Sequence, residues 1–585
     1  MRISKKCATV IGSLAVGSLA LSACGSSSSG SKPGGSTPSS SGGASATPSA
    51  AGTLTAGTSG KNDSPHMTVK AGGEIVTTIE KDIADFNINT SAGNVFDAAQ
   101  VMNPIFPSVY NVDQDLNVFL NTDLMDSVTP PSTDPTAPEV VVYKIKPTAM
   151  WSDGKPIDAT DFTYIWTSTN GTNKNYTPAS TTGYEDIASV VGSDNDKTVT
   201  VTFKNKFADW KSLFSNLLPA HYMTTLNADP VKAYNEGLLA PNYPKVSGGP
   251  FMIQSFKSND NVTEVRNDMY YGAKAPLDKV TFKIITDSTQ EPTALANGEV
   301  NYIYPQPQVD LISAVAQQGD AITSDIGFGL IFEHFDLNLA NEFLADAPLR
   351  QALFTAVNTQ DIVNKTVKQF SDKSAPLGNR MLVQQQPGYQ DNSGTYGKGD
   401  LAGAKKILTD AGYTGVGTAL TTKAGTKVAA LRFEYTTGNT LREQEGELFK
   451  AAAAQLGVPV KIQPTTDLGG TLTKHDFDVI VFAWVGTPFP FSANKALYVT
   501  GGESNYDSYS SPAVDTALKD AASQLDTTKA TADLNTADKQ LFTDAVTLPL
   551  YQKATYLAYD KKYGNIVNNS TQVGPTFNIG SWGLL

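Results

Sequence analysis

Trp151-Ser152-Asp153-Gly154-Lys155-Pro156-Ile157-Asp158-Ala159-Thr160-Asp161-Phe162 is the most information-dense segment of the chain. Asp153-Gly154 has the chemistry of a tight turn, because Asp bonds its own backbone and Gly accepts a positive φ. Asp158 and Asp161 stand at the spacing with which two carboxylates cap the first turn of a helix. Trp151 is read as a packing residue. Upstream, Val140-Val141-Val142-Tyr143-Lys144-Ile145 is β-branched and partly alternating, as a half-buried strand requires. The order is therefore strand, turn, helix.

The same two periodicities continue in both directions. Thr198 to Phe203, Lys279 to Ile285 and Asp478 to Ala483 read as strands. Thr440 with Glu443 predicts a capping box, followed by a face of Leu441, Leu448, Ala452 and Leu456 and a stop at Gly457. Leu401, Ala404, Ile407, Leu408 and Ala411 form a second helical face ended by Gly412, and Arg350 to Val367 carries one or two more helices. The class is α/β. A chain of 585 residues exceeds what one core usually holds, so several domains are expected.

The start of the chain reads as an address. Arg2, Lys5 and Lys6 precede an apolar run from Ala8 to Leu21, whose 14 residues fall short of the about 20 needed to span a bilayer. The run ends in Leu21-Ser22-Ala23-Cys24, which resembles the bacterial lipobox; the resemblance implies cleavage after residue 23 and diacylglycerol on the Cys24 sulfur. Two acyl chains anchor stably, at about 0.8 kcal/mol per buried CH₂. Residues 24–65 are nearly all Ser, Gly, Thr, Pro and Ala, a composition that cannot bury enough apolar surface to fold. They are expected to form a tether spanning about 35 Å r.m.s..

Composition narrows the function. The net charge of −13 argues against nucleic acid, which needs clustered Lys and Arg. The two cysteines, Cys7 and Cys24, both precede the folded part, leaving it without disulfides, thiolate metal ligands or a thiol nucleophile. The histidines at 66, 221, 334 and 475 are scattered, and neither Gly-x-Ser-x-Gly nor His-Glu-x-x-His occurs. No metal or cofactor is expected. A secreted hydrolase remains the alternative from the enzyme class, since carboxylates are plentiful.

An ordered set of segments resembles the extracytoplasmic solute-binding proteins of family 5, the oligopeptide- and dipeptide-binding lipoproteins of ABC transporters. It comprises Trp151 to Phe162, Ser247-Gly248-Gly249-Pro250-Phe251, Val265 to Gly272, Leu277 to Val280, Gly298 to Val300, Phe335 to Asn338, Pro348 to Leu353, Ala404 to Tyr413 and Leu548-Pro549-Leu550-Tyr551. The resemblance implies a two-lobed, periplasmic-binding-protein-like fold of type II, a Venus flytrap with a small domain inserted in lobe I. Lobe I would cover 66–305, with the insert at about 107–198, lobe II 306–546, and 547–585 would return to lobe I. It also implies a monomeric binding protein, not an enzyme. That protein would be held at the extracytoplasmic membrane face by Cys24, passing a peptide or peptide-like solute to an ABC permease. ATP hydrolysis would belong to another subunit, consistent with Gly60-Lys61, Gly154-Lys155 and Gly397-Lys398 each lacking the following Ser or Thr of a phosphate-binding loop.

Candidate ligand contacts follow from the segment Ala483-Trp484-Val485-Gly486-Thr487-Pro488-Phe489-Pro490-Phe491, which leaves the carboxyl end of an apolar strand, where open α/β sheets place ligands. Trp484, Thr487, Phe489 and Phe491 are the first candidates, Tyr551 the next, and Asn94 and Asn103 follow from the N-terminal segment. In peptide-binding relatives an Asp follows this Trp and pairs with the ligand's α-ammonium; here Thr487 stands near that place and no acid occurs from 484 to 491. A buried ammonium without an anionic partner is costly, so a peptide held otherwise, an N-blocked peptide or an uncharged solute is expected. The Thr-Pro-Phe-Pro run also resembles that of a mycobacterial lipoprotein of mannolipid assembly. The alternative is therefore a cell-envelope regulatory or glycolipid-binding lipoprotein of the same fold.

Overall fold

The computed structural model describes residues 67–585. The leader, Cys24, the tether and His66 lie outside the described residues. The strand Val140–Ile145 forms with Val141, Tyr143 and Ile145 buried, and Thr198–Phe203 buries Val199, Val201 and Phe203 while its threonines face outward. They pair within a four-stranded antiparallel sheet in the order Met125–Thr129, Val140–Ile145, Thr198–Phe203, Ile187–Ser193. The helix Ala159–Thr169 begins at a capping box: Asp158 accepts from Thr160 N at 2.9 Å, and Asp161 accepts from Asp158 N at 3.2 Å.

Asp161 does more than cap. It also accepts from Trp151 Nε1 at 3.0 Å and Ala220 N at 2.8 Å, which fixes a fully buried indole. The Ser247-Gly248-Gly249-Pro250 turn closes on the same ring. Ser152 N donates to Ser247 O at 2.7 Å, and Ser247 N donates back to Ser152 Oγ at 3.0 Å. A Cβ on Gly249 would lie 2.1 Å from Pro104 O, so no other residue fits this approach, and the strand Phe251–Lys257 starts immediately after. The two motifs are one packing unit.

A ten-stranded sheet runs in the order Val460–Thr465, Leu431–Thr436, Val479–Val485, Ile322–Leu337, Thr547–Asp560, Tyr302–Ile303, Glu74–Ile79, Lys279–Ile284, Asn261–Arg266, Phe251–Lys257. Its two central members are unusually long, at 16 and 14 residues, and antiparallel. At one end their pairing, Ile322 with Asp560, adjoins Tyr302–Ile303 and the first hydrophobic core; at the other, Asp336 with Thr547, it adjoins Val479–Val485 and a second core around Phe335, Phe433 and Phe449. The ladder breaks between Phe328 and Phe332. The architecture is two-lobed α/β, with both lobes sharing one pair of strands.

Most anticipated elements are present: the helices Ala347–Ala356 and Thr359–Lys365 fill the 350–367 region, and Leu401–Asp410 ends at Gly412 with φ +87. The helix Thr440–Ala454 differs in detail. Its cap is the Asn439 side chain, accepting from Arg442 N at 3.1 Å, in place of a Thr440–Glu443 box. Its buried face is Arg442, Glu445, Gly446, Phe449 and Ala453, one residue round from the Leu441–Leu448–Ala452 stripe. The rotation is caused by an ion pair: Arg442 Nε lies 2.7 Å from Glu333 Oε1, beneath a sheet that buries both.

Removing the Asp161 carboxylate strands three buried or half-buried donors, at about 1–3 kcal/mol per unsatisfied group. Asp161→Ala is therefore expected to lower stability by about 2–5 kcal/mol in urea unfolding. Burial raises the Asp161 pKa to about 7 from an ordinary 3.8. Its contribution is thus fully present below the unfolded value and is lost as pH rises through 7. The penalty measured at pH 5 should exceed that at pH 8; an equal penalty at both would contradict this placement.

Candidate functional site

The strand Val479–Val485 is buried along its first four residues and emerges at Trp484. Trp484 is paired in register with Phe332, and Phe482 with His334, on one face of the sheet. The indole lies in a parallel stack between the His334 ring, centroids 6.0 Å apart at 14°, and Tyr506, 5.9 Å at 15°. Phe482 meets it edge-on at 5.0 Å. His334 is itself fixed by Asp336 at 2.8 Å. The chain then turns tightly: Gly486 N donates to Leu330 O at 2.8 Å, where a Cβ would come within 2.8 Å of that oxygen. Thr487 O accepts from Gln386 Nε2 at 3.0 Å, and Thr487 Oγ1 accepts from Phe489 N at 3.1 Å.

Trp484, Val485, Gly486 and Thr487 wall a cavity of about 40 Å³ at the break in the two shared strands, with Leu330, Phe332, Val383 and Gln386 on its other sides. That is room for one or two waters, far below the about 300–1,000 Å³ of a small-molecule pocket, so a larger solute requires the walls to part. Arg380 is the one charged residue on the wall, and it is fully committed. Its Nη1 pairs with Asp538 Oδ1 at 2.7 Å, Nε donates to Thr547 Oγ1 at 2.7 Å and Nη2 to Thr547 O at 2.6 Å, with both charged side chains wholly buried.

The lobes meet beside this cavity. Asp209, packed with the first core, accepts from Ser492 N at 2.7 Å and Ser492 Oγ at 2.6 Å in the short helix Pro490–Ala493, whose ends line the cavity. Ala208 N donates to Ala522 O at 2.8 Å. Burial raises the Asp209 pKa to about 6 from 3.8, against the hydrogen bonds from Ser492.

Residues 132–506 match the family described as bacterial extracellular solute-binding proteins, family 5. The chain belongs to this family. It is 30% identical over 516 residues to the oligopeptide-binding protein OppA of Mycobacterium tuberculosis, covering 87% of this chain and 84% of that one. The solved structure of the periplasmic EDTA-binding protein EppA superposes with a TM-score of 0.82 at 32% identity, covering 89% and 98%. A 221-residue stretch is 32% identical to the probable monoacyl phosphatidylinositol tetramannoside-binding protein LpqW of M. tuberculosis, 37% of this chain and 33% of that one. Among the described residues no helix is long and apolar enough to cross a membrane.

In this solute-binding protein the residues anticipated as contacts separate into four groups. Trp484 and Thr487 line the cavity. Phe489 starts the short helix beside it, and Phe491 packs partly against the cluster around Met381 and Leu518. Tyr551 lies elsewhere: it is 1% exposed, in the second core, with its hydroxyl bonded to Glu445. There Glu333 holds Arg442 and Lys553, the latter at 3.0 Å, and burial raises Glu445 to about 8. Asn94 and Asn103 fasten the N-terminal segment to the C-terminal one, accepting from Gln572 Nε2 and donating to Thr576 O, each at 2.7 Å. Arg380, Phe332 and Gln386 were not anticipated. Arg380 has no local signal, because its partner Asp538 is 158 residues away.

Opening the lobes returns Asp209 to water and an ordinary pKa of about 3.9, so closing takes up a proton at intermediate pH. Closure is therefore most favourable below about pH 4 and is weakened as pH rises through 6. Scattering of the unliganded protein should show a smaller radius at pH 5 than at pH 8. Asp209→Asn should remove the difference; a persistent difference in that variant would assign it to another group.

Proposed function

We propose that this chain is the solute-capturing lipoprotein of an ABC importer, closing its two lobes on a peptide or peptide-like solute and delivering it to a membrane permease. The observation that carries the reading is the meeting of the two lobes beside the Trp484–Thr487 segment, where Asp209 accepts two hydrogen bonds from Ser492. A rigid aromatic stack gives a solute large contact area at little entropic cost, and two strands common to both lobes suit a hinge. The oligopeptide-binding and EDTA-binding relatives both bear names of small solutes, and oligopeptides and EDTA share free carboxylates. Division of the chain at 66–305, 306–546 and 547–585 with an insert at about 107–198, a monomeric state, and anchorage through Cys24 at the extracytoplasmic face belong to the same proposal.

A second reading, a cell-envelope lipoprotein that binds a glycolipid or regulates envelope enzymes, is favoured by the LpqW similarity and by the absence of an acid from Trp484 to Phe491. The two diverge in what co-purifies. Native mass spectrometry of protein from its own cells should reveal a small solute bound one to one under the transport reading. A mannosylated lipid would favour the second.

Trp484→Ala is expected to weaken solute binding by about 10- to 100-fold, as loss of a buried aromatic anchor does, while leaving thermal unfolding nearly unchanged, because the ring is only half-buried. Unaltered affinity would remove Trp484 from the site.

A further inference from the structure

Lys211 is a cation without a counter-charge, placed at the seam. Among the described residues it makes neither a hydrogen bond nor an ion pair; its Nζ lies 5.6 Å from the Trp210 ring centroid and 5.8 Å from that of Tyr110. Those rings meet edge-to-face at 5.8 Å and 82°. Aromatic faces attract a cation without neutralising it.

Two connections put this ammonium on the cavity's side of the first lobe. Asp209, two residues earlier, bonds Ser492 across the seam. Tyr110 and Val112 share one face of the strand Tyr110–Val112, and Val112 packs with Leu116 against Leu330 and Val383, both of which line the cavity. Lys211 remains open to solvent, yet the surrounding protein lowers its pKa by desolvation. A solvated group inside a cleft behaves in this way. The cavity wall supplies no other available charge, because Arg380 is neutralised by Asp538.

We propose that Lys211 is the anion anchor of the cleft, meeting a carboxylate of the captured solute as the lobes close. The assignment rests on the capture reading and deepens it: the free acid end, not the amine end, is what this cleft recognises. It agrees with the missing acid near Thr487, since a free cation with no acid on the facing 484–491 segment selects ligands by their negative groups.

The full chain, its Lys211→Met and Lys211→Arg variants, and calorimetric titration with tetra-alanine, tetra-alanine C-terminal amide and citrate form the test. Wild type should bind at least one acid, and prefer it to a neutral-ended counterpart by about tenfold or more. Lys211→Met should abolish the preference and Lys211→Arg retain it, with the thermal midpoint of both unchanged. Equal affinity for acid and amide, preference surviving in Lys211→Met, or no binding of any acid overturns the assignment. Native mass spectrometry separates the two levels. A neutral solute found with lobes closed leaves capture standing and overturns the anchor, whereas no solute and no closure removes capture as well.

Discussion

The structure depends on one backbone ladder. Ile322–Leu337 and Thr547–Asp560 pair from one core to the other, so neither lobe completes its sheet without strands that also belong to its neighbour. Backbone donors and acceptors buried in a sheet must stay paired. Such a ladder yields most cheaply where it is already interrupted, between Phe328 and Phe332 and again between Glu333 and His334. Leu330, inside the first interruption, turns its carbonyl to Gly486, and Gly329 turns its own to Gln552 Nε2 at 2.8 Å. The hinge and the wall of the cavity are thus made from the same few residues.

Charge in the second lobe is tightly accounted for. Arg380 with Asp538, and Glu333 between Arg442 and Lys553, place ionised groups beneath the sheet, each with a partner within 3.0 Å. Breaking one such pair leaves a buried charge uncompensated, at about 3–5 kcal/mol. These residues are therefore structural, however close to the cleft they lie. Lys211 differs because nothing on its own lobe answers it.

How much was legible in the sequence follows from the range of the forces involved. Alternation in Thr198–Phe203 and the carboxylate pair Asp158/Asp161 are local, and both elements form where the pattern places them. The helix at 440–454 is rotated by one residue from its apolar stripe because Arg442 and Glu445 are held inside by Glu333 and Tyr551, on two strands each more than 100 residues away. Tyr551 follows the same logic: its place on the strand that returns from the second lobe made it a candidate contact, while its hydroxyl is bonded to Glu445 in the second core. Trp484 and Thr487 were legible as the exit of an apolar strand, whereas Arg380 and Lys211 matter through what other segments bring, or fail to bring, to them.

The latch puts a pH-dependent cost on closing the lobes. Any population of a form closed without solute subtracts from apparent affinity. Asp209 reduces that population at neutral pH. Its carboxylate gains two hydrogen bonds from Ser492 on closing but must leave water to do so, and burial dominates the balance. Those two bonds join protein groups alone and therefore cannot distinguish one solute from another. What tips closure must come from contacts that only the solute supplies. An acid end meeting Lys211 is the kind of contact that would restore in one lobe the charge balance that desolvating Asp209 disturbs beside it.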